Sequence, residues 1–168
     1  MTRGRVIGAY QAAYLWLDVE GYDSPDGYKG RWMLAGLYGP DRIASDALKT
    51  WSGLPVRVGT SRFESTQDGR RAIGVLNGRN VVTAHVKTGT DPFGEAAVLL
   101  NYVSLSPTTG AVIVNQIPAI TEARPAEALS IDITAPSDDL FGLATIKRID
   151  WALEGRNGAL SFTWPRTF

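Results

Sequence analysis

Glycine and proline punctuate this chain at short intervals along its whole length. Eighteen glycines and nine prolines are spread along 168 residues, and the apolar runs between them are only four to ten residues long. Such spacing is the signature of many short strands joined by turns. Alternation supports it at Leu129, Ile131 and Ile133 against Ser130, Asp132 and Thr134, because side chains on a strand point to opposite faces with a period of two. The same pattern predicts strands at Tyr14 to Glu20, Trp32 to Tyr38 and Leu54 to Val58. Two hairpins are expected: Arg71 to Leu76 with Asn80 to Lys87 across Asn77-Gly78, and Ala96 to Leu105 with Ala111 to Ile117 across Pro107-Thr108-Thr109-Gly110. The apolar run Ala96 to Leu100 reads as buried on both faces. Near the C-terminus, Lys147, Ile149, Trp151 and Leu153 share one face of a further strand. Leu160, Phe162 and Trp164 share a face of the next, with Gly155-Arg156-Asn157-Gly158 as the turn between them, which makes a third expected hairpin. Both tryptophans are expected in the core. One helix is expected at Asp41 to Trp51, where Ile43, Ala47 and Trp51 recur at four-residue spacing behind Pro40 and Ser52-Gly53 closes the run. The fold class that follows is mainly β: an antiparallel β-sandwich or barrel of about eight or nine short strands with one short helix, in one domain over residues 1–168, with residues 1–8 as an N-terminal arm.

Composition narrows the function classes. Seventeen basic and seventeen acidic side chains cancel, so no net field draws the chain to nucleic acid or to an anionic membrane. A neutral chain also lacks the self-repulsion that keeps copies apart, which suits life inside an assembly. With no cysteine there are no disulfides, thiolate nucleophiles or cysteine-based metal sites. Arg3 and Arg5 followed by Val6 to Leu17 resemble a signal peptide in outline. Gln11 and the aromatics Tyr10, Tyr14 and Trp16 interrupt the apolar run, and Asp18-Val19-Glu20 stands where a small-residue cleavage site would be, so no processing is expected. No apolar stretch reaches the roughly 18 residues of a membrane span, and the expectation is a soluble protein.

Groups able to do chemistry are sparse. The single histidine, His85, lies in the alternating run Val81 to Lys87, with no nucleophile elbow or phosphate-binding glycine loop in the chain. Asp138-Asp139 could be one of the paired carboxylates of a glycosidase, but after Pro136-Ser137 it reads more simply as a turn. Asp18, Glu20, Asp23 and Asp26 gather four acids in nine positions, as a calcium loop would, yet Asp-Ser-Pro-Asp-Gly is already a good turn and the closing bidentate Glu is missing. The expectation is therefore no catalytic residue, no metal and no cofactor. Aromatic residues are the richer feature: Tyr22, Tyr28 and Trp32 lie in or beside a glycine-rich loop, where rings fill pockets on a partner or stack on sugars.

The last quarter, Ala144-Thr145-Ile146-Lys147-Arg148-Ile149-Asp150-Trp151, a glycine turn, then Leu160-Ser161-Phe162-Thr163-Trp164, resembles a hairpin pattern of tailed-bacteriophage virion structural proteins, particularly head-decoration or auxiliary capsid proteins. The resemblance implies a non-enzymatic virion protein, made in the host cytoplasm, that decorates or stabilises a capsid through multivalent contacts with copies of itself and with major capsid or other virion proteins. Contacts are then expected from Arg3 and Arg5 in the arm and from Tyr22, Tyr28 and Trp32 in the loop. A tail or head–tail connector protein and a carbohydrate-binding β-sandwich module are the alternatives.

Overall fold

A computed structural model describes residues 11–39, 42–136, 142, 145–150, 152–161 and 166–167. Among them are ten strands and one helix: β1 (Gln11–Val19), β2 (Gly30–Gly39), α1 (Arg42–Ser52), β3 (Val56–Val58), β4 (Thr60–Ser65), β5 (Gly69–Leu76), β6 (Arg79–Lys87), β7 (Gly94–Leu105), β8 (Val112–Ile133), β9 (Ala152–Leu160) and β10 (Arg166–Thr167). The fold is mainly β and sandwich-like, as the glycine and proline spacing suggests. The strands form one sheet ordered β1-β2-β7-β8-β6-β5-β4, which is not closed into a barrel. It is mixed rather than purely antiparallel, because β2 runs parallel to both β3 and β7.

Two of the three expected hairpins form. Asn77 (φ 51°) and Gly78 (φ 75°) join β5 to β6, and two successive positive φ values are what a two-residue hairpin turn of matching twist requires. Pro107 to Gly110 turn β7 back along β8, paired without a register shift from Gly94–Ala123 to Leu105–Val112. β8 then continues for 22 residues, through Pro118 and Pro125, where the sequence suggests a break and a separate strand at 129. Both prolines sit where a missing N–H costs little. Pro118 faces the end of β9, its carbonyl accepting from Ser161 N at 3.0 Å. Pro125 lies between the stretch paired with β7 and the stretch paired with β6.

The C-terminal hairpin expected at Lys147–Trp164 is not what forms. Residues 145–150 are not strand, and Ala152–Leu160 is one continuous strand, β9, antiparallel to β8. Gly155-Arg156-Asn157-Gly158 therefore lies inside a strand. The capacity for positive φ that suggests a turn serves a bulge instead: Asn157 has φ 51°, and the register slips between Ile120 and Glu122. Trp151, Phe162 and Trp164 lie outside the described residues, as does Asp138-Asp139.

Two apolar clusters, on opposite sides of β2, make the core. One gathers Met33, Leu48, Leu54, Val56, Tyr102 and Ile117, flanked by Tyr14, Trp16 and Leu100; the other gathers Ala35, Leu37 and Val81 with Leu15, Val82 and Ile133. Odd-numbered β2 residues reach both because Leu34 is an extra residue opposite the Leu15/Trp16 step, which reverses the facing of the strand. The helix forms at 42–52, but the described part of its buried face is Ser45, Leu48 and Ser52, while Trp51 is 42% exposed. The side chain of Ile43 is outside the described residues. Helix and sheet are joined by polar groups: the Ser52 carbonyl accepts from Ser104 Oγ and from Asn115 Nδ2, and Ser104 and Asn115 are buried. Burial on both faces of β7 falls at Asn101 to Ser104 rather than at Ala96 to Leu100, where Ala97 and Val98 are exposed.

Candidate interaction surfaces

The aromatic loop between β1 and β2 is a braced turn. Pro25 and Asp26 occupy the middle of a turn closed by Gly27 N donating to the Ser24 carbonyl at 2.9 Å, and Tyr28 N donates to Ser24 Oγ at 3.1 Å. Asp23 accepts from Lys29 Nζ at 2.6 Å and from Gly30 N at 3.1 Å. The lysine hydrogen bond, then the amide, holds this carboxyl below its ordinary value. Asp18 pairs with Arg31 at 3.4 Å. These acids are thus engaged by cations and by the loop itself, and among the described residues no three of His, Cys, Asp or Glu gather as metal ligands would. From the sheet, buried Asn101 donates its Nδ2 to the Tyr22 carbonyl at 2.7 Å.

This bracing separates the three aromatics. Tyr22 is half-buried, Tyr28 is exposed at the tip, and Trp32 is a half-buried strand residue paired with Leu17 on one side and Val103 on the other. Arg3 and Arg5 lie outside the described residues.

His85 meets an acid and a hydroxyl of the β4–β5 turn. Its Nε2 lies 3.1 Å from Thr66 Oγ1 and 3.2 Å from Asp68 Oδ1, and Thr66 donates to the same Asp68 oxygen at 3.1 Å. Both contacts fall on one ring nitrogen, Nε2. The arrangement ties the β4–β5 turn to β6, and the Thr66 hydroxyl, ahead of Asp68's own amide, lowers the Asp68 carboxyl. An open depression elsewhere on the surface is lined by Leu76, Asn77, Arg79, Asn80, Val81, Thr134 and Pro136, with neither a carboxylate nor the histidine.

An exposed apolar surface lies on a three-stranded extension built from the first half of β7, the middle of β8, and β9. Of the nine residues of β9, Glu154 is the one that is buried. Ala97, Ile120 and Ala159 are cross-strand neighbours, so they share a face, with Leu99 and Pro118 in the next row. Val98, Ala119 and Leu160 share the other face and continue the row of Leu100 and Ile117 that enters the core. Ile120 is 55% exposed and Leu153 57%. Beyond the apolar row lie Glu95, Glu122 and Arg156, where Arg156 Nε donates to Glu122 Oε2 at 2.6 Å and Asn157 Nδ2 to the same oxygen at 3.1 Å. These two donors, arginine first, hold the Glu122 carboxyl low.

A charged cluster roots the extension. Arg124 donates from Nε to Glu154 Oε2 at 2.7 Å, with Nη2 of the same arginine 2.6 Å from that oxygen, while Arg70 of β5 lies 3.4 Å from Glu154 Oε1. The guanidinium carbons of Arg124 and Arg156 lie 4.4 and 4.1 Å from the centre of the Phe93 ring, close enough for cation–π attraction. In the sequence, Arg156 reads as a turn residue; the register of β9 on β8 sets Glu154 opposite Arg124 and Arg156 opposite Glu122. No protein-family model matches the sequence, and no curated protein matches it significantly.

Proposed function

We propose that this chain is a non-enzymatic structural subunit of a multi-copy assembly, working through protein contacts on the β7–β8–β9 extension. One observation carries the reading: the extension exposes Ala97, Val98, Ile120, Ala159 and Leu160 on its two faces while β9 buries one side chain, and sheet so placed gains stability when another surface covers it. The row of Ala97, Ile120 and Ala159, with Leu99 and Pro118 in the next, presents uncharged side chains of the kind that pack sheet on sheet. Its border carries both charge signs, which sets register on a partner more than it adds affinity.

A virion is the kind of assembly we propose, in the role of a capsid-decorating protein bound by multivalent contacts to copies of itself and to shell proteins. The segment that suggests this role contributes β9 rather than a hairpin, so the support lies in the exposed sheet and in the absence of net charge. The test is Ile120→Asp. Because the side chain is more than half exposed, the melting temperature of the isolated chain should change by no more than about 2 °C. Incorporation into the assembly should fall about tenfold or more. Unchanged incorporation would remove the extension from the interface.

A further inference from the structure

β4 is one end of the sheet order, and among the described residues its ladder partner is β5. Its sequence with the residue that follows, Thr60-Ser61-Arg62-Phe63-Glu64-Ser65-Thr66, reads the same in both directions except that Arg and Glu exchange places. Two such strands laid antiparallel, with the Phe63 residues opposed, bring each Arg62 to the other's Glu64. The backbone is oriented for this pairing. Thr66 N donates to the Gly69 carbonyl at 2.9 Å, so the peptide groups of Thr66 point towards β5. The register from Thr60–Val75 to Ser65–Arg70 has no shift, and facing alternates along a strand. Glu64 and Arg62 therefore point the same way as Thr66, and the N–H and C=O of Phe63 point outwards from the sheet.

The side chains agree. Phe63 is 73% exposed, more than any other large apolar residue among those described. Arg62 and Glu64, 3.0 Å apart on the opposite face, are each about half exposed. β4 has neither the lysine nor the proline with which free edges are usually blocked.

We propose that two copies of this chain join edge to edge through β4, antiparallel about a twofold axis at Phe63. Each Phe63 N–H donates to the partner's Phe63 carbonyl, the two rings lie side by side on one face, and two Arg62–Glu64 pairs form across the junction on the other. A twofold axis uses the same strand twice, so the match of both charge pairs needs a second copy, whereas an unrelated strand would have to carry a Glu-x-Arg of its own. Neutral net charge leaves no long-range repulsion between copies. The inference deepens the reading as an assembling subunit by naming one partner; it uses a different edge from the β7–β8–β9 extension, so each can fail without the other.

The contact is small and the dimer accordingly weak, so the experiment is sedimentation equilibrium of the full chain from about 10 μM to 1 mM. Expected are a monomer–dimer equilibrium and amide exchange at Phe63 that slows as concentration rises, a readout needing no variant. Arg62→Glu alone and Glu64→Arg alone each oppose two like-charge pairs and should weaken self-association about tenfold. An equimolar mixture of these two variants, and the double exchange R62E/E64R, should associate as strongly as the wild type. A chain monomeric throughout the range, single variants that dimerise normally, or a mixture that fails to recover would overturn the proposal.

Discussion

Replacing Glu154 with alanine should release β9 without melting the core. In the described structure β9 forms its backbone ladder on β8, and its one buried side chain is the carboxylate held by Arg124. A hydrogen bond to a charged group contributes about 1.5–3 kcal/mol. The Arg70 contact, made at 3.4 Å by a half-exposed side chain, adds about 0–1 kcal/mol after solvent screening. Arg124 retains its stacking on Phe93 and can turn its free donors to water, so the full penalty of a stranded buried charge does not apply. The loss is therefore about 1.5–4 kcal/mol, confined to opening of the extension. At about 1.4 kcal/mol per factor of ten, amides of 152–160 that exchange by this opening should do so roughly tenfold to several hundred-fold faster. Native-state hydrogen exchange read by mass spectrometry measures this directly. Peptides over β2 and the Asn101–Ser104 part of β7 should keep their rates. Equal acceleration everywhere would show that β9 and the core open as one unit, and unchanged rates at 152–160 would show that the cluster contributes nothing.

Two further outcomes follow from particular contacts. Gly53, at φ 58°, ends the helix where an added Cβ would lie 1.9 Å from the Leu105 carbonyl, whereas Gly110, at φ 70°, has open space. Gly110→Ala should cost only the left-handed strain of about 1–2 kcal/mol, and Gly53→Ala clearly more, read as a melting-temperature loss at least twice as large. In acid, Glu122 has a folded pKa below its unfolded value near 4.5, so its stabilising contribution is complete above that value and is lost as pH falls through the lowered one. Arg156→Gln should therefore flatten the decline in melting temperature below about pH 4.5; an unaltered acid limb would refute the assignment.

What the sequence makes legible is decided by whether local chemistry has one outcome or two. Asn77-Gly78 between alternating runs has one, and the hairpin forms with the expected turn. Gly155-Arg156-Asn157-Gly158 has two, since residues that accept positive φ serve a turn or a bulge equally; the register on β8, a tertiary property, selects the bulge. The helix is placed correctly from Pro40 and Ser52-Gly53, while the described part of its buried face is Ser45, Leu48 and Ser52, with the Ser52 backbone carbonyl held by Ser104 and Asn115 of the sheet, a contact that local spacing does not reveal. β4 escapes a search for alternating apolar residues because it has one, Phe63. The signal it does carry is the reversed symmetry of Thr60 to Thr66. For the expected contact residues, the loop position of Tyr28 is readable from Pro25 and Gly27, but the strand position of Trp32 and the exposure of Ile120 depend on partners distant in sequence.

Cryo-electron microscopy of the protein recovered from its source under non-denaturing conditions confronts the assembly reading with fewest intermediate assumptions. Ordered particles are expected, with density from a neighbouring chain lying against Ala97, Ile120 and Ala159. Isolated single chains at the native concentration, or particles in which that face meets only solvent, would contradict it.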